Sequence, residues 1–266
     1  RSYVAPVETY ATNLMGTAHV FEAARQVGTT RAIINVTTDK CYENREWPWG
    51  YREFEPMGGR DPYSSSKACS ELVTSAYRDS YFREAGIQLA SARAGNVIGG
   101  GDWSQDRLVP DILRAVERKE SVQLRNPKAI RPWQHVLEPL SGYLILAEKL
   151  FEVGDNFADA WNFGPHDTDA RPVEWIVEYL VRDLRHEAGW YVDQGPHPHE
   201  AHYLKLDISK ARVDLRWRPR WDLETTLEKI AQWHRAWTSG TDARSICLDQ
   251  IRQYSLSSEQ NRNEAV

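Results

Sequence analysis

Methionine and cysteine are scarce, with two and three in 266 residues. Cys41, Cys69 and Cys247 are odd in number and widely spaced. They suit reduced thiols better than a disulfide framework or a cysteine metal cage. Glycine and proline stand at ordinary levels and 41% of residues are apolar, which excludes collagen-like, mucin-like and disordered chains. No apolar run approaches the ~20 residues that span a bilayer, and no charged-then-apolar leader opens the chain. The expectation is a soluble cytoplasmic protein with no membrane partner. Neither sign of charge dominates: 33 Lys and Arg stand against 38 Asp and Glu, net −5. That argues against a nucleic-acid partner, though a local basic pocket for a small phosphate ligand stays open. Also missing are a Gly-x-Gly-x-x-Gly turn between strand and helix, a P-loop and a serine nucleophile elbow.

What is present alternates helix and strand. Val7, Tyr10, Ala11, Leu14, Ala18 and Phe21 recur at helical spacing, predicting a helix that ends near Gly28. Residues 32–37 are apolar and β-branched, as in a parallel strand covered on both faces. A loop rich in Trp, Pro and Gly follows from Tyr42 to Arg60. Asp61-Pro62 then supplies a cap and an N1 proline for a helix running to about Ala85. Residues 87–94 read as the next strand, and strand, helix, strand in this order implies a doubly wound parallel α/β sheet. Beyond Gly99 the pattern loosens. Helices are expected near 107–118, 138–152, 172–185 and 223–238, with strands at 122–124 and 161–163. The division expected is 1–105, a parallel sheet to which some later segments return, and 106–255, mainly a less regular second lobe. Residues 256–266 are polar and read as a disordered tail.

Three segments carry chemistry. Tyr63 and Lys67, four apart on a helix, share one face. A phenol of ordinary pKa about 10 is a poor base at neutral pH, and a neighbouring ammonium favours its phenolate. An exposed Tyr and Lys side by side is the plainer alternative. Thr38-Asp39-Lys40 ends the strand at 32–37, where open α/β sheets bind ligands, although Asp39 also suits a turn. Gly99-Gly100-Gly101 allows a close backbone approach to a ligand or a flexible loop. His197, His199 and His202 surround Glu200, but Pro196 and Pro198 make that segment extended and the spacing is not a helical zinc pair. No metal site is expected there, and the segment reads as a polar loop near substrate.

Together the motifs resemble the nucleotide-sugar 4,6-dehydratases, a group of extended short-chain dehydrogenases/reductases. The matching runs are Thr-Thr-Asp-Lys-Cys-Tyr-Glu-Asn at 37–44, Asp-Pro-Tyr-Ser-Ser-Ser-Lys at 61–67 and Ala-Gly-Asn-Val-Ile-Gly-Gly-Gly-Asp-Trp at 94–103. Arg-Pro-Trp-Gln-His-Val at 131–136 and Pro-His-Glu-Ala-His-Tyr-Leu-Lys-Leu-Asp at 198–207 complete them. The resemblance implies a Rossmann-type sheet, bound NAD, a smaller C-terminal substrate lobe and a nucleoside diphosphate sugar as substrate, with CDP-glucose the best match. It further implies that Tyr63, Lys67 and Thr38 act at the sugar 4-oxygen and that Asp39 protonates the departing 6-hydroxyl. Tyr63, Lys67 and Asn13 would face the cofactor. Asn96, Arg107, Arg131, Asn162, His199 and His202 would face the substrate, and each arginine could instead form a surface ion pair.

Sister families carry Asp-Glu where this chain has Asp39-Lys40, and their second carboxylate removes the C5 proton. Lys40 does this only when neutral, which requires lowering a pKa of about 10.4 by roughly three units. Otherwise it stabilises the enolate electrostatically while another base acts. The resemblance also implies a homodimer or homotetramer paired through helices 7–27 and 61–85, and a role in deoxysugar and lipopolysaccharide O-antigen biosynthesis. Family members begin with a first strand, a glycine-rich turn and an acidic ribose-binding residue, none of which is in this sequence. The Rossmann half is therefore expected to be incomplete and to hold NAD weakly by itself. An epimerase or reductase of the same superfamily, or a non-catalytic fragment, are the alternative readings.

Overall fold

The computed structural model describes residues 2–195 and 203–263. In chain order its helices are α1 (Pro6–Tyr10), α2 (Gly16–Val27), α3 (Pro62–Tyr77), α4 (Leu108–Arg118), α5 (Leu137–Glu152), α6 (Val173–Asp183), α7 (Ser209–Asp214), α8 (Leu223–Thr238) and α9 (Ala243–Asn263). Its strands are β1 (Ala32–Val36), β2 (Gln88–Ala94), β3 (Asn96–Ile98), β4 (Val122–Leu124), β5 (Ile130–His135), β6 (Ala160–Phe163), β7 (Ala170–Pro172) and β8 (Trp190–Val192). A π turn, Ala11–Met15, joins α1 to α2, and Gly28 closes the helix with a left-handed φ of 70°. Asp61 caps α3 and Pro62 fills its first position.

The chain divides into two compact units, the first formed by residues 1–95, 139–164 and 204–218, the second by 96–138, 165–203 and 219–266. The first crossing falls at Gly95, ahead of the boundary at 105 expected from the sequence. The reason is that β3 pairs with β5 in the second unit and does not prolong β2.

The sheet of the first unit is parallel, in the order β1-β2-β6. One face packs Ala90 and Ala92 against Leu146, Leu150, Trp161 and Trp217. The other packs Leu89 and Ile33 against Phe21 and Phe82. The apolar run of β1 suggests a strand covered on both faces, yet β1 stands at the edge of this sheet, half-buried, with Val36 exposed. α5 comes close to the aromatic layer at Gly142, where an added Cβ would lie 2.3 Å from the Phe163 ring.

In the second unit, β3, β5 and β7 form one sheet and β4 and β8 another. Ile112, Leu113, Ile176, Leu180, Leu227 and Ile230 make its core. Glu138 is buried there, taking backbone N–H groups from Arg220 and Trp221 at 3.0 and 2.8 Å and the Tyr254 hydroxyl at 2.7 Å. These bonds hold α9, whose backbone stays helical to Asn263 where the polar sequence suggested a disordered tail. Once Tyr254 docks, each further helical residue needs only propagation. His135, also buried, accepts the Leu137 N–H on Nδ1 at 3.2 Å. Burial, with Lys229 nearby, lowers its pKa to about 4.

Helix propensity alone would make Gly142→Ala stabilising by about 1 kcal/mol. The contact with Phe163 reverses the sign: the variant is expected to lose about 1–3 kcal/mol, read as a lower urea midpoint at unchanged slope. For His135, the unfolded chain takes up a proton near pH 6.5 while the folded imidazole stays neutral to about pH 4. Stability therefore falls as pH drops from about 6.5 to about 4, by up to about 3 kcal/mol. His135→Gln should flatten that segment of the pH-stability curve measured by urea denaturation.

Candidate active site

The carboxyl end of β1 runs into a tight turn. Thr37 adds one more rung to the parallel ladder through its N–H to Ala92 O at 2.8 Å. Thr38 is extended and begins the 3-10 turn Asp39–Cys41. Its hydroxyl donates to Asp39 Oδ1 at 3.1 Å and accepts the Lys40 N–H at 3.3 Å. Thr38 and Asp39 are buried, whereas Lys40 is exposed.

Tyr63 and Lys67 lie on the first turns of α3. Asp61 Oδ1 accepts the N–H groups of Tyr63 and Ser64 at 2.9 and 3.1 Å, fixing the turn that holds the phenol. One turn further, the Lys67 ammonium donates to Val36 O at 3.3 Å, so α3 is tied to the last residue of β1. Burial lowers the pKa of Lys67 and the Glu71 carboxylate partly opposes this. Asn13 donates to Ser66 Oγ at 2.9 Å. It belongs to a polar ladder in which Tyr10 bonds Ser65 and Thr17 meets Ser70 at 2.9 Å. Thr38, Asp39, Lys40, Tyr63, Lys67 and Asn13 thus all fall in the first unit.

The expected substrate residues divide differently. Asn96, Arg107 and Arg131 belong to the second unit. Asn96 is half-buried at the start of β3 and Arg107 is exposed just before α4. Arg131 is no surface residue: it is buried in β5, where Nη1 donates to Ile130 O at 3.0 Å. Asn162 corrects the sequence reading. It is 0% exposed, its amide donating to Tyr51 O and Asp207 O at 2.8 and 3.2 Å while its oxygen accepts the Tyr42 hydroxyl at 2.7 Å. That side chain is committed to the scaffold and presents nothing to a ligand. His199 and His202 lie outside the described residues. The three glycines serve packing: a Cβ on Gly100 would fall 2.2 Å from the Trp233 ring, and Gly101 has a φ of 78°.

Sequence reasoning missed the buried cluster beside the turn. Arg93 Nη2 donates to Glu71 Oε2 at 2.7 Å, and both side chains are 4% exposed. Burial pushes the Glu71 carboxyl up, but Arg93, Ser91 and Thr37 outweigh it and hold Glu71 below the ordinary range. Two signals were available. A lone arginine stood in an otherwise small and apolar strand, and a glutamate stood one helical turn after Lys67.

For NAD, the donor set decides the fit. A phenol and an ammonium at the carboxyl end of a parallel strand suit the nicotinamide and its ribose hydroxyls. A glycine turn for the pyrophosphate is not among the residues of this chain. Among the described residues no group of three or more His, Cys, Asp or Glu could hold a metal ion, and no helix is long and apolar enough to cross a membrane.

Comparison with known proteins follows the same lines. The family described as GDP-mannose 4,6 dehydratase matches residues 1–230. A CDP-glucose 4,6-dehydratase of Salmonella typhimurium is 57% identical over 258 residues, covering 95% of this chain and 72% of that protein. Among solved structures, a UDP-glucose 4-epimerase of Thermotoga maritima has a TM-score of 0.77 at 21% identity, covering 89% of this chain and 74% of its own. A dTDP-glucose 4,6-dehydratase of Streptomyces venezuelae, solved with NAD bound, has a TM-score of 0.75 at 21% identity, covering 91% of this chain and 71% of its own. At these identities the structures speak for the fold, a Rossmann-like parallel α/β arrangement.

An N-cap carboxylate is worth about 1 kcal/mol, and asparagine caps nearly as well as aspartate. Asp61→Ala should therefore cost about 1 kcal/mol in denaturant unfolding, with Asp61→Asn recovering most of it. Ala but not Asn should also lower turnover, by loosening the turn that holds Tyr63.

Proposed function

Because the chain belongs to the GDP-mannose 4,6-dehydratase family, we propose that it dehydrates CDP-glucose to CDP-4-keto-6-deoxyglucose with NAD as cofactor. The observation that carries this reading is the 57% identity, over 95% of the chain, to a CDP-glucose 4,6-dehydratase. Thr38-Asp39-Lys40 and the Tyr63–Lys67 pair, joined at the carboxyl end of β1 by the Lys67 bond to Val36 O, support it. NAD, faced by Tyr63, Lys67 and Asn13, would supply the two-electron hydride acceptor for C4 and the hydride donor for C6, so that the net change is loss of water.

The chain's own residues handle protons. Tyr63 Oη takes the proton of the sugar 4-hydroxyl, and Thr38 Oγ1 hydrogen-bonds that oxygen. Lys67 holds the phenolate by its charge and faces the nicotinamide ribose, with Asn13 beside it on the neighbouring helix. A 4-ketone acidifies the C5 proton, and Asp39 protonates the C6 hydroxyl as it leaves. Lys40, exposed beside Asp39, either removes the C5 proton or stabilises the enolate that forms. Asn96, Arg107 and Arg131 take the nucleoside diphosphate, the arginines through paired charge-assisted bonds. We also propose assembly as a homodimer or homotetramer. Val7, Val20 and Leu72, exposed on the helices expected to pair, support it. The setting proposed is cytoplasmic deoxysugar synthesis for the lipopolysaccharide O-antigen.

Incubation of the protein with CDP-glucose and NAD, followed by mass spectrometry of the sugar nucleotide, tests the reaction. The expected result is loss of one water. An unchanged mass removes this reaction or substrate and leaves epimerase chemistry as the next reading. Lys40→Met should keep the transient nicotinamide absorbance of C4 oxidation while water loss falls by about 100-fold or more. Disappearance of the absorbance as well would overturn this assignment of Lys40 to the elimination step.

A further inference from the structure

The Arg93–Glu71 pair poses a question of cost. A buried ion pair seldom stabilises a fold more than apolar residues of the same volume, because both charges lose their hydration. Here the arginine is not fully repaid, since its Nε is buried with no hydrogen-bond partner among the described residues. What the pair does supply is geometry. Glu71 Oε1 accepts the Thr37 hydroxyl, and Glu71 Oε2 accepts Ser91 Oγ at 2.6 Å and Arg93 Nη2 at 2.7 Å. Arg93 Nη1 donates to the Tyr42 hydroxyl at 2.8 Å and to Glu53 O at 2.9 Å, and the guanidinium lies 5.0 Å from the Tyr42 ring centre. Tyr42 in turn donates to Asn162 on β6 at 2.7 Å.

Thr37 and Tyr42 are the residues on either side of Thr38–Cys41. One ion pair therefore grips both ends of the turn that carries Thr38, Asp39 and Lys40. Its glutamate stands four residues after Lys67 on α3, so the same pair ties the turn to the helix that bears Tyr63 and Lys67. We propose that Arg93, Glu71 and Tyr42 are positioning residues for the dehydratase reaction: they hold the Thr38–Lys40 turn in fixed register with Tyr63 and Lys67. This rests on the dehydratase reading above. Reacting groups displaced by about 1 Å can lose about 100-fold in rate, and the ion pair adds side-chain bonds at both ends of the turn to the backbone bond from Gly58 N–H to Cys41 O at 2.8 Å.

Removing Arg93 or Glu71 outright would strand a buried charge and risk unfolding. Tyr42→Phe is the cleaner probe, because it deletes only the hydroxyl that links Arg93 to Asn162. The control is Tyr143→Phe, the same deletion from a half-buried tyrosine in the α5 layer of the same unit. The expected result is a 10- to 100-fold fall in kcat for CDP-glucose with KM within about threefold of wild type, and wild-type kinetics for the control. Independently of activity, amide hydrogen exchange should quicken at residues 38–42 in Tyr42→Phe while β2 stays protected. Wild-type kcat in Tyr42→Phe, or a loss carried by KM, would overturn the proposal. So would exchange that quickens across the whole sheet, which is the mark of a merely structural role. If wild type itself does not dehydrate CDP-glucose, the dehydratase reading fails and the exchange result alone decides whether this cluster holds the turn.

Discussion

Parallel pairing of β1 with β2 puts Ala32 opposite Gln88 and Val36 opposite Ala92, and the rest of the first unit depends on that register. Side chains alternate along a strand. Leu89, Ser91 and Arg93 therefore face α2 and α3 while Ala90 and Ala92 face the α5 layer. β1 obeys the same division: Ile33, Asn35 and Thr37 reach the α3 side, and Ile34 packs with Trp161 and Leu146. A slip of one residue would exchange the two sets. Arg93 would be driven into the apolar layer beside Trp161, and Glu71 would be left buried without its cation. The charged pair thus penalises every slip by an odd number of residues.

α3 meets the first helix through short polar groups. Asn35 bonds Ser70 and Thr74 at 3.0 and 2.7 Å, continuing the ladder that Tyr10, Asn13 and Thr17 make with Ser65, Ser66 and Ser70. Hydroxyls of this size satisfy one another inside a buried surface and let two helices approach closely. The serine run between Tyr63 and Lys67 is accordingly packing material, oriented so that Tyr63 and Lys67 keep the sheet end. Tyr63 and Lys67 flank three consecutive serines whose hydroxyls serve capping and packing.

Much of this was legible in the sequence wherever a local rule had a local cause. Asp61-Pro62 announces a helix start whatever surrounds it, and a β-branched apolar run followed by Thr38-Asp39 announces a strand end. β3, β4, β7 and β8 were harder, being three residues each. Of these, β4 alone is expected from the sequence, at 122–124. β5, written Ile-Arg-Pro-Trp-Gln-His, shows no alternation because both its faces are covered, all but Ile130 being buried. Asn162 and Arg93 were misjudged or passed over for a common reason. Whether a polar side chain in a strand serves a ligand or the scaffold depends on what stands across from it. In both cases that partner is more than twenty residues away in the chain: Glu71 for Arg93, Tyr42 and Tyr51 for Asn162.

The glycines at 99–101 make the same point from the opposite side. Glycine beside a strand end invites a phosphate, since bare backbone N–H groups can cradle an anion. Here the space that a Cβ would occupy at Gly100 is filled by Trp233, and Trp233 in turn sets its indole N–H on Cys247 Sγ at 3.4 Å. Trp103 leans on Trp237 with ring centres 4.6 Å apart, and Arg114 holds the loop by bonds to the carbonyls of Trp103 and Ser104 at 3.1 Å each. The segment before Arg107 is therefore held by aromatic packing and two arginines, Arg114 and the Arg125 that pairs with Asp106, and its small residues are the condition for that packing. Its position is set by α8, so the groups exposed at its end, Asp106 and Arg107, stand on a braced loop and not on a free one.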